Sequence, residues 1–414
     1  MRCERRPCRT GDAEAEKGES MEREIVLLSA VRTPIGSFLG TLSTVPAPRL
    51  GAVAIKAALE RAGVAPEQVE QVVMGNVLQA GIGQAPARQA GIYAGIPYEA
   101  GAVTVHKVCG SGLKSVMLAA NDIRCGEYDV AVAGGMENMS LSPYLLPKAR
   151  SGYRMGNGQV IDHMVFDGLW DPYDDKHMGN CAETCARHFG FTREAQDEFA
   201  RMSYERARKA SEDGTFAAEI VPVEVKGRKG AVTVVERDEE PFRADLAKMP
   251  KLRPAFEKDG TVTAANASKI NDGASAVVVT TAGWAAEHGL KPIARIVAQG
   301  SVAQEPEWFT TAPIGAIRKV LDRAGLGLDD IDLFEVNEAF AVVVMAAMKE
   351  LGIPGERMNV HGGAVALGHP IGASGARILT TLLNALERRG KRLGCAAICI
   401  GGGEAAAMIV ERLG

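Results

Sequence analysis

Two thiols and one imidazole, each set among glycines, are the residues in this chain whose types and surroundings carry chemistry. Cys109 lies in KVCGSGLKS, His369 in GGAVALGHPIGASG, and Cys399 opens CIGGG. A thiol beside a base is the pair needed for acyl transfer through a thioester, and a second thiol that moves a proton to and from carbon adds carbanion chemistry. Cys109 precedes a predicted helix whose apolar positions, Leu113, Val116, Met117, Ala120 and Ile123, recur at helical spacing. At a helix N-terminus the dipole and the free N–H groups lower a thiol's pKa from about 8.5, so a thiolate is expected at Cys109. His369 stands between Gly368 and Pro370, where proline fixes φ and the glycines permit tight turns, so the loop presents one imidazole rigidly. With an ordinary pKa near ~6.5, that imidazole is the natural acceptor of the thiol proton. Cys399 ends a predicted strand, and Gly401, Gly402 and Gly403 behind it let backbone N–H groups approach a developing negative oxygen.

Other candidates carry plainer readings. Asn337 and Glu338, in VNEAFA, come at a strand end ahead of an apolar helix, where polar side chains are usually caps; Asn337 is also placed to hold a water. His177 and Met178 introduce a helix carrying Cys181 and Cys185, which one helical turn separates and which read as packing residues rather than metal ligands. No role is evident for His163, His188 or His288.

The elements that must position these groups come from an internal repeat. LERAGVAPEQVEQVVMGN, from Leu59, overlays LDRAGLGLDDIDLFEVNE, from Leu321, and Ser111-Gly112-Leu113-Lys114 overlays Ser374-Gly375-Ala376-Arg377. VAGGME from Val132 likewise resembles IGGGEA from Ile400. Each half reads as helix, strand, helix, strand with apolar runs too continuous for a one-sided sheet, so helices are expected on both faces of mostly parallel sheets. The fold class is α/β. Residues 24–139 with 269–290 form one half, residues 291–414 the other, and residues 140–268 are an insertion placed as a lid or ligand platform; the repeat position of His369 then faces the Cys109 loop. Residues 1–23, charged and aperiodic, read as a disordered leader.

Composition narrows the class. With 414 residues and 46% hydrophobic content the chain builds a large core. No apolar stretch is long enough to span a membrane and the start lacks a secretory signal's apolar core, so a cytoplasmic protein with free thiols is expected. The 47 basic against 51 acidic residues, net charge -4, argue against a nucleic-acid binder. Residues 226–258 are locally basic and are the candidate patch for a polyanionic ligand, or else a solvated surface.

Taken together, the motifs around Cys109, Asn337, His369 and Cys399 resemble those of the thiolase family, above all its acetyl-CoA acetyltransferases, over residues 24–414. The resemblance implies two related halves in five layers (αβαβα) plus a loop domain. It implies that Cys109 carries the acyl group, that His369 activates it, and that Cys399 removes or returns the α proton. Backbone N–H groups of Cys109 and Gly401 form one oxyanion pocket, and His369 with a water on Asn337 forms the other. The reaction implied is reversible condensation of two acetyl-CoA to acetoacetyl-CoA and CoA, with no permanently bound cofactor. Coenzyme A contacts are implied at Leu169, His177, Met178, Arg243, Phe256, Ala264, Ser268, Ala339 and Phe340, with Lys248 where some relatives have a serine. The loop EWFTTAP, with Phe309, is similar to that of the mitochondrial acetoacetyl-CoA thiolase branch, although Thr310 replaces a proline. That likeness implies a potassium site at Tyr204 and the carbonyls of Ala264, Ala265, Ala267 and Val365. A homo-oligomer, dimer or tetramer, is also implied. A degradative 3-ketoacyl-CoA thiolase of broader chain length, a ketoacyl or hydroxymethylglutaryl-CoA synthase, and a CoA-binding scaffold are the alternatives.

Overall fold

The computed structural model describes residues 24–227 and 230–414, so the expected leader lies outside the described residues. In chain order the first half contributes β1 (Ile25–Arg32), α1 (Ala47–Ala62), β2 (Gln71–Gly75), β3 (Gly101–Val105), α2 (Ser111–Arg124) and β4 (Ala131–Asn138). The insertion contributes α3 (Met178–Phe189) and α4 (Arg193–Glu212), and the chain then returns as β5 (Asn271–Thr281). The second half supplies β6 (Ala294–Ala303), α5 (Ala312–Ala324), β7 (Leu333–Val336), α6 (Ala341–Leu351), α7 (Ser374–Arg388), β8 (Leu393–Ile400) and β9 (Glu404–Arg412).

The strands run β7-β8-β9-β6-β1-β5-β4-β2-β3, so the order β1-β5-β4-β2 of one half repeats as β6-β9-β8-β7 in the other. The halves meet through the short antiparallel pairing of Val26 with Arg295 and Leu27 with Ala294. Here the expectation of mostly parallel sheets is corrected. Only β2–β3, β2–β4 and β7–β8 are parallel, while β1, β4, β5, β6, β8 and β9 join through antiparallel pairs. The continuous apolar runs arise from burial on both faces, which antiparallel strands also experience once helices cover both sides. In β5, Val277 and Val279 join the central core while Ala274, Ala276 and Val278 join the outer one. In β8, Ala396, Ile398 and Ile400 face the centre, and Cys395, Ala397 and Cys399 face the other outer core.

Five layers follow. The helix α1 covers the outer face of the first sheet, α2 and α7 fill the space between the sheets, and α5 and α6 cover the second. α7 is buried from Ser374 through Leu386, as a helix packed on all sides must be. The insertion is fastened to the first half by the buried Arg32, whose Nε donates to Glu219 at 2.5 Å and whose Nη1 donates to Asp238 at 2.7 Å. At the β7 end, Phe334 bridges Met358, and the Asn359 side chain takes both backbone groups of Val336, accepting from its N–H at 2.8 Å and donating to its carbonyl at 2.8 Å. At the opposite end β3 hydrogen-bonds only to β2, and Val103 is 47% exposed. Among the described residues no helix is long and apolar enough to cross a membrane.

Candidate active site

α2 and α7 both begin at a serine, and their first turns interlock: a Cβ on Gly112 would meet the Ala376 nitrogen at 2.8 Å, and one on Gly375 would meet the Leu113 nitrogen at 2.3 Å. Only glycine lets these two helix starts approach so closely. Their preceding loops, one with Cys109 and the other with His369, are thereby set side by side. Val108, immediately before Cys109, has φ of 42°, an unusual value for a β-branched residue. Cys109 packs in a small cluster with Ile371, which lies two residues after His369.

Cys399 ends β8 and is fully buried, whereas Cys109 keeps some exposure. The N–H groups of Gly401 and of Cys109 itself are directed at the Cys109 sulfur, and the two cysteines are near enough to interact electrostatically. The helix-terminus expectation of a thiolate is corrected. Burial pushes Cys109 up to about 11, outweighing those two N–H groups, and the Glu137 carboxylate adds to the rise. Burial also raises Cys399 well above the ordinary thiol value, with Cys109 adding like charge.

His369 is 4% exposed, and burial, helped by the Arg377 guanidinium, drives its imidazole down to about 3. Its tautomer follows from one serine. The Ser374 hydroxyl donates its single hydrogen to the Pro370 carbonyl at 2.9 Å, so at 2.6 Å from Nδ1 it accepts the ring N–H. Nε2 then carries the lone pair, and it is buried with no partner in the protein. His369 N–H is anchored on Asn271 Oδ1 at 2.9 Å. The resting site is therefore a neutral thiol and a neutral imidazole, with a base held in one orientation.

Asn337 and Glu338 do not cap a helix, since α6 begins only at Ala341 with Phe340 before it. Arg377 Nη2 donates to Asn337 Oδ1 at 3.3 Å, which turns the amide so that Nδ2 is a buried donor with no protein partner. Arg377 also meets Glu335 at 3.0 Å. Glu338 accepts from Ser203 Oγ at 2.7 Å, Asn359 Nδ2 at 2.9 Å and the Val365 N–H at 3.1 Å, tying α4 to the segment ahead of His369.

The nine residues singled out for a nucleotide-bearing thiol are linked by contacts to one another or share a cleft. Met178 donates from its N–H to the Leu169 carbonyl at 3.0 Å, His177 stacks on Phe256 at 4.8 Å, and Phe256, Phe340 and Phe309 continue as edge-on neighbours. Ser268 donates from its N–H to the Ala339 carbonyl at 2.9 Å. Arg243, Phe256, Ala264 and Ser268 line a cleft of about 410 Å3. Met178 reaches the backbone that follows Cys399, since a Cβ on Gly401 would lie 3.5 Å from its sulfur. Phe309 is 3% exposed, and its loop is fixed by Lys176 to Glu307 at 2.6 Å. By contrast Lys248 is an exposed side chain paired with Asp245 at 3.1 Å. Cys181 and Cys185 are packing residues of the outer core, as expected.

Three residues were not singled out from sequence. Ser374 appears in the repeat match, but its grip on the imidazole needs the folded turn. Glu137, at the end of VAGGME, accepts from the N–H groups of Val77, Leu78 and Gly372 at 3.0, 3.1 and 2.9 Å and so pins the His369 loop to the first half. Lys269 is the third. Its Nζ donates to the carbonyls of Ala267 at 2.9 Å and Val365 at 3.2 Å, two of the four carbonyls in the expected potassium set, and lies 5.5 Å from the Tyr204 ring centre.

Known proteins resemble this chain over nearly its whole length. Residues 25–283 match the model of the thiolase N-terminal domain and residues 290–412 that of the thiolase C-terminal domain. An acetyl-CoA acetyltransferase of Escherichia coli is 54% identical, covering 94% of this chain and 100% of the relative. Acetyl-CoA acetyltransferase 2 of Arabidopsis thaliana is 52% identical over 96% of this chain and 100% of its own length. Among solved structures, a thiolase of Ascaris suum in complex with coenzyme A superposes with a TM-score of 0.89 at 44% identity, covering 94% of this chain and all of that one. The Bacillus anthracis acetyl-CoA acetyltransferase gives 0.92 at 42% identity, covering 94% and 99%.

Proposed function

The chain belongs to the thiolase family, and from that premise we propose how its residues work as an acetyl-CoA C-acetyltransferase, joining two acetyl-CoA to give acetoacetyl-CoA and CoA. The observation that carries the reading is the convergence of a nucleophilic thiol, a second thiol and a base of fixed tautomer where the two halves meet.

His369 Nε2 takes the proton of the Cys109 thiol as the sulfur attacks the thioester carbonyl of the first acetyl-CoA. The oxyanion is held by the Cys109 and Gly401 N–H groups. Collapse breaks the bond to the coenzyme sulfur, which takes the Cys399 proton and leaves as CoA. Acetyl-Cys109, an imidazolium and a Cys399 thiolate remain. That thiolate removes the α proton of the second acetyl-CoA. The enolate oxygen is held by the new Nε2–H and by a water on Asn337 Nδ2. Attack of the enolate carbon on acetyl-Cys109 forms the carbon–carbon bond, and the departing Cys109 sulfur recovers its proton from His369, which balances the cycle. Holding the groups neutral at rest keeps charge out of a dry site until substrate arrives, and each oxyanion donor supplies about 3 kcal/mol where charge develops.

The surface running from Leu169 and His177 through Arg243 and Ser268 is read as the coenzyme A cleft, and the ring wall of Phe309, Phe340 and Phe256 favours short acyl chains. The protein works in the cytoplasm as a dimer or tetramer. The test is Cys399→Ala. In that variant the coenzyme sulfur leaves as a thiolate that solvent protonates, so Cys109 is still acetylated by acetyl-CoA, though more slowly, seen as a mass increment on the tryptic peptide, yet no acetoacetyl-CoA forms. Failure to acylate sinks the assigned roles. Thiolysis rates falling steeply with 3-ketoacyl chain length support the short-chain reading over the degradative one.

A further inference from the structure

We infer that the ammonium of Lys269 is a built-in substitute for a bound monovalent cation, clamping the coenzyme A cleft to the segment carrying His369, so that this chain works without potassium. The inference rests on the reaction proposed above and deepens it by assigning the site's ion requirement.

Lys269 is the first residue after the insertion and, with Ser268, lines the cleft; its side chain is part-buried. Its Nζ bonds one carbonyl from each of two segments. Ala267 belongs to the cleft, and it also bridges Phe340 as an antiparallel pair. Val365 lies in the short helix Ala364–Leu367, which is followed directly by Gly368 and His369. The surroundings are two backbone oxygens at 2.9 and 3.2 Å and the Tyr204 ring; burial lowers the ammonium to about 8 and the carboxylates of Glu240 and Glu338 partly offset that, so it keeps its proton at neutral pH. A free potassium ion using the same Ala267 and Val365 oxygens would stand against the ammonium, two like charges sharing one set of ligands. The residues present do not fit that ion, and the lysine already performs what an ion there would do. An ammonium is a compact charge with three donors, of a size to bridge carbonyls that a metal would otherwise bring together.

The link also has a direction. The Lys269 ammonium is engaged by the Ala267 and Val365 carbonyls, so it is read as a positioning residue. Its effect passes through Ala267 to the cleft and through Val365 to His369.

The experiment compares full-length wild type and Lys269→Met in potassium, sodium and choline chloride at equal ionic strength. It reads CoA affinity by calorimetry, thermal midpoint, and kcat and KM for thiolysis. Wild type is expected to give the same values in all three salts. Lys269→Met is expected to bind CoA about tenfold more weakly in choline or sodium and to recover in potassium, because the vacated carbonyls then accept the ion. Rubidium soaked into variant crystals should appear between Ala267 and Val365 by anomalous scattering. A potassium-specific gain in wild type overturns the inference, and so does a Lys269→Met defect that potassium leaves unrepaired, which would make Lys269 a direct contact to CoA. No defect at all also overturns it. If Lys269→Met does not fold, the wild-type salt series and Lys269→Arg, expected to remain potassium-independent, still decide. Acetylation of wild-type Cys109 by mass is independent of the salt, so its absence would sink the reaction itself while leaving the cation result legible.

Discussion

The loops ahead of α2 and α7 occupy equivalent places in the two halves, and each has given up what the other provides. Both have a histidine five residues before the helix serine, His106 before Ser111 and His369 before Ser374. In the first half His106 is exposed, Ser111 Oγ accepts the Lys107 N–H at 2.9 Å and donates to the Val108 carbonyl at 2.6 Å, and the loop offers a thiol. In the second half the histidine is buried and held by the serine, and the place equivalent to Cys109 is Gly372, where a Cβ would fall 2.6 Å from Glu137 Oε2. Duplication supplied one frame twice. The copies are unlike at a few positions, so that a thiol and an imidazole arrive from opposite sides of one seam.

The sharpest way to break the comparison is to remove the thiol. Cys109→Ala should lower kcat by about 10^4 or more while CoA affinity, measured by calorimetry, stays within about threefold; a smaller loss would mean the first half does not supply the nucleophile. Next is the charge at the fourth position of each helix. Arg377→Met strands the buried Glu335 and should cost about 3–5 kcal/mol in urea unfolding, whereas Lys114→Met, at the matching place, should stay within about 0.5 kcal/mol. Equal costs would deny that the halves differ there. The two serines sharpen the contrast further. Ser374→Ala should reduce kcat by about 10- to 100-fold by freeing the imidazole tautomer, while Ser111→Ala should cost about 1 kcal/mol of stability with kcat changed only a few-fold.

Smallest is a pH effect. Alkylation of Cys109 by iodoacetamide should keep rising past pH 9 toward its value of about 11, with no inflection near 8.5. The raised folded value means that the folded state keeps a proton that the unfolded chain gives up above about 9. Stability from this group is thus present below pH 9 and lost as pH climbs through 9 to 11. His369, down at about 3, acts on the acid side, where the unfolded chain charges first and stability falls from pH 6.5 toward 3. A thiol titrating below 8 would contradict the dominance of burial over the helix terminus.

Much of this was legible before the coordinates. The repeat marked two like helix starts, because Ser111 to Lys114 and Ser374 to Arg377 are local sequences that report local turns. Glycines around Cys109, His369 and Cys399 marked where backbones approach closely. Strand direction was not legible. An apolar run buried on both faces reads the same in either sense, so the antiparallel centre from β1 to β9 had no signal of its own. The Cys109 thiol was misread for a related reason: a helix start is visible in sequence, but desolvation is a property of everything packed around it. Asn337 and Glu338 looked like caps because the residues they serve, Arg377, Ser203 and Asn359, lie far off along the chain. Lys269 sits in an unremarkable stretch, ASKIND, and its meaning depends on the Val365 carbonyl 96 residues away.

The Asn359 side chain on Val336 has a consequence for assembly. It closes the β7 margin of the sheet, where a further strand would otherwise add, while β3 at the far margin keeps an outward row of backbone groups. A ribbon with one sealed border and one open border offers an incoming strand a single place to add.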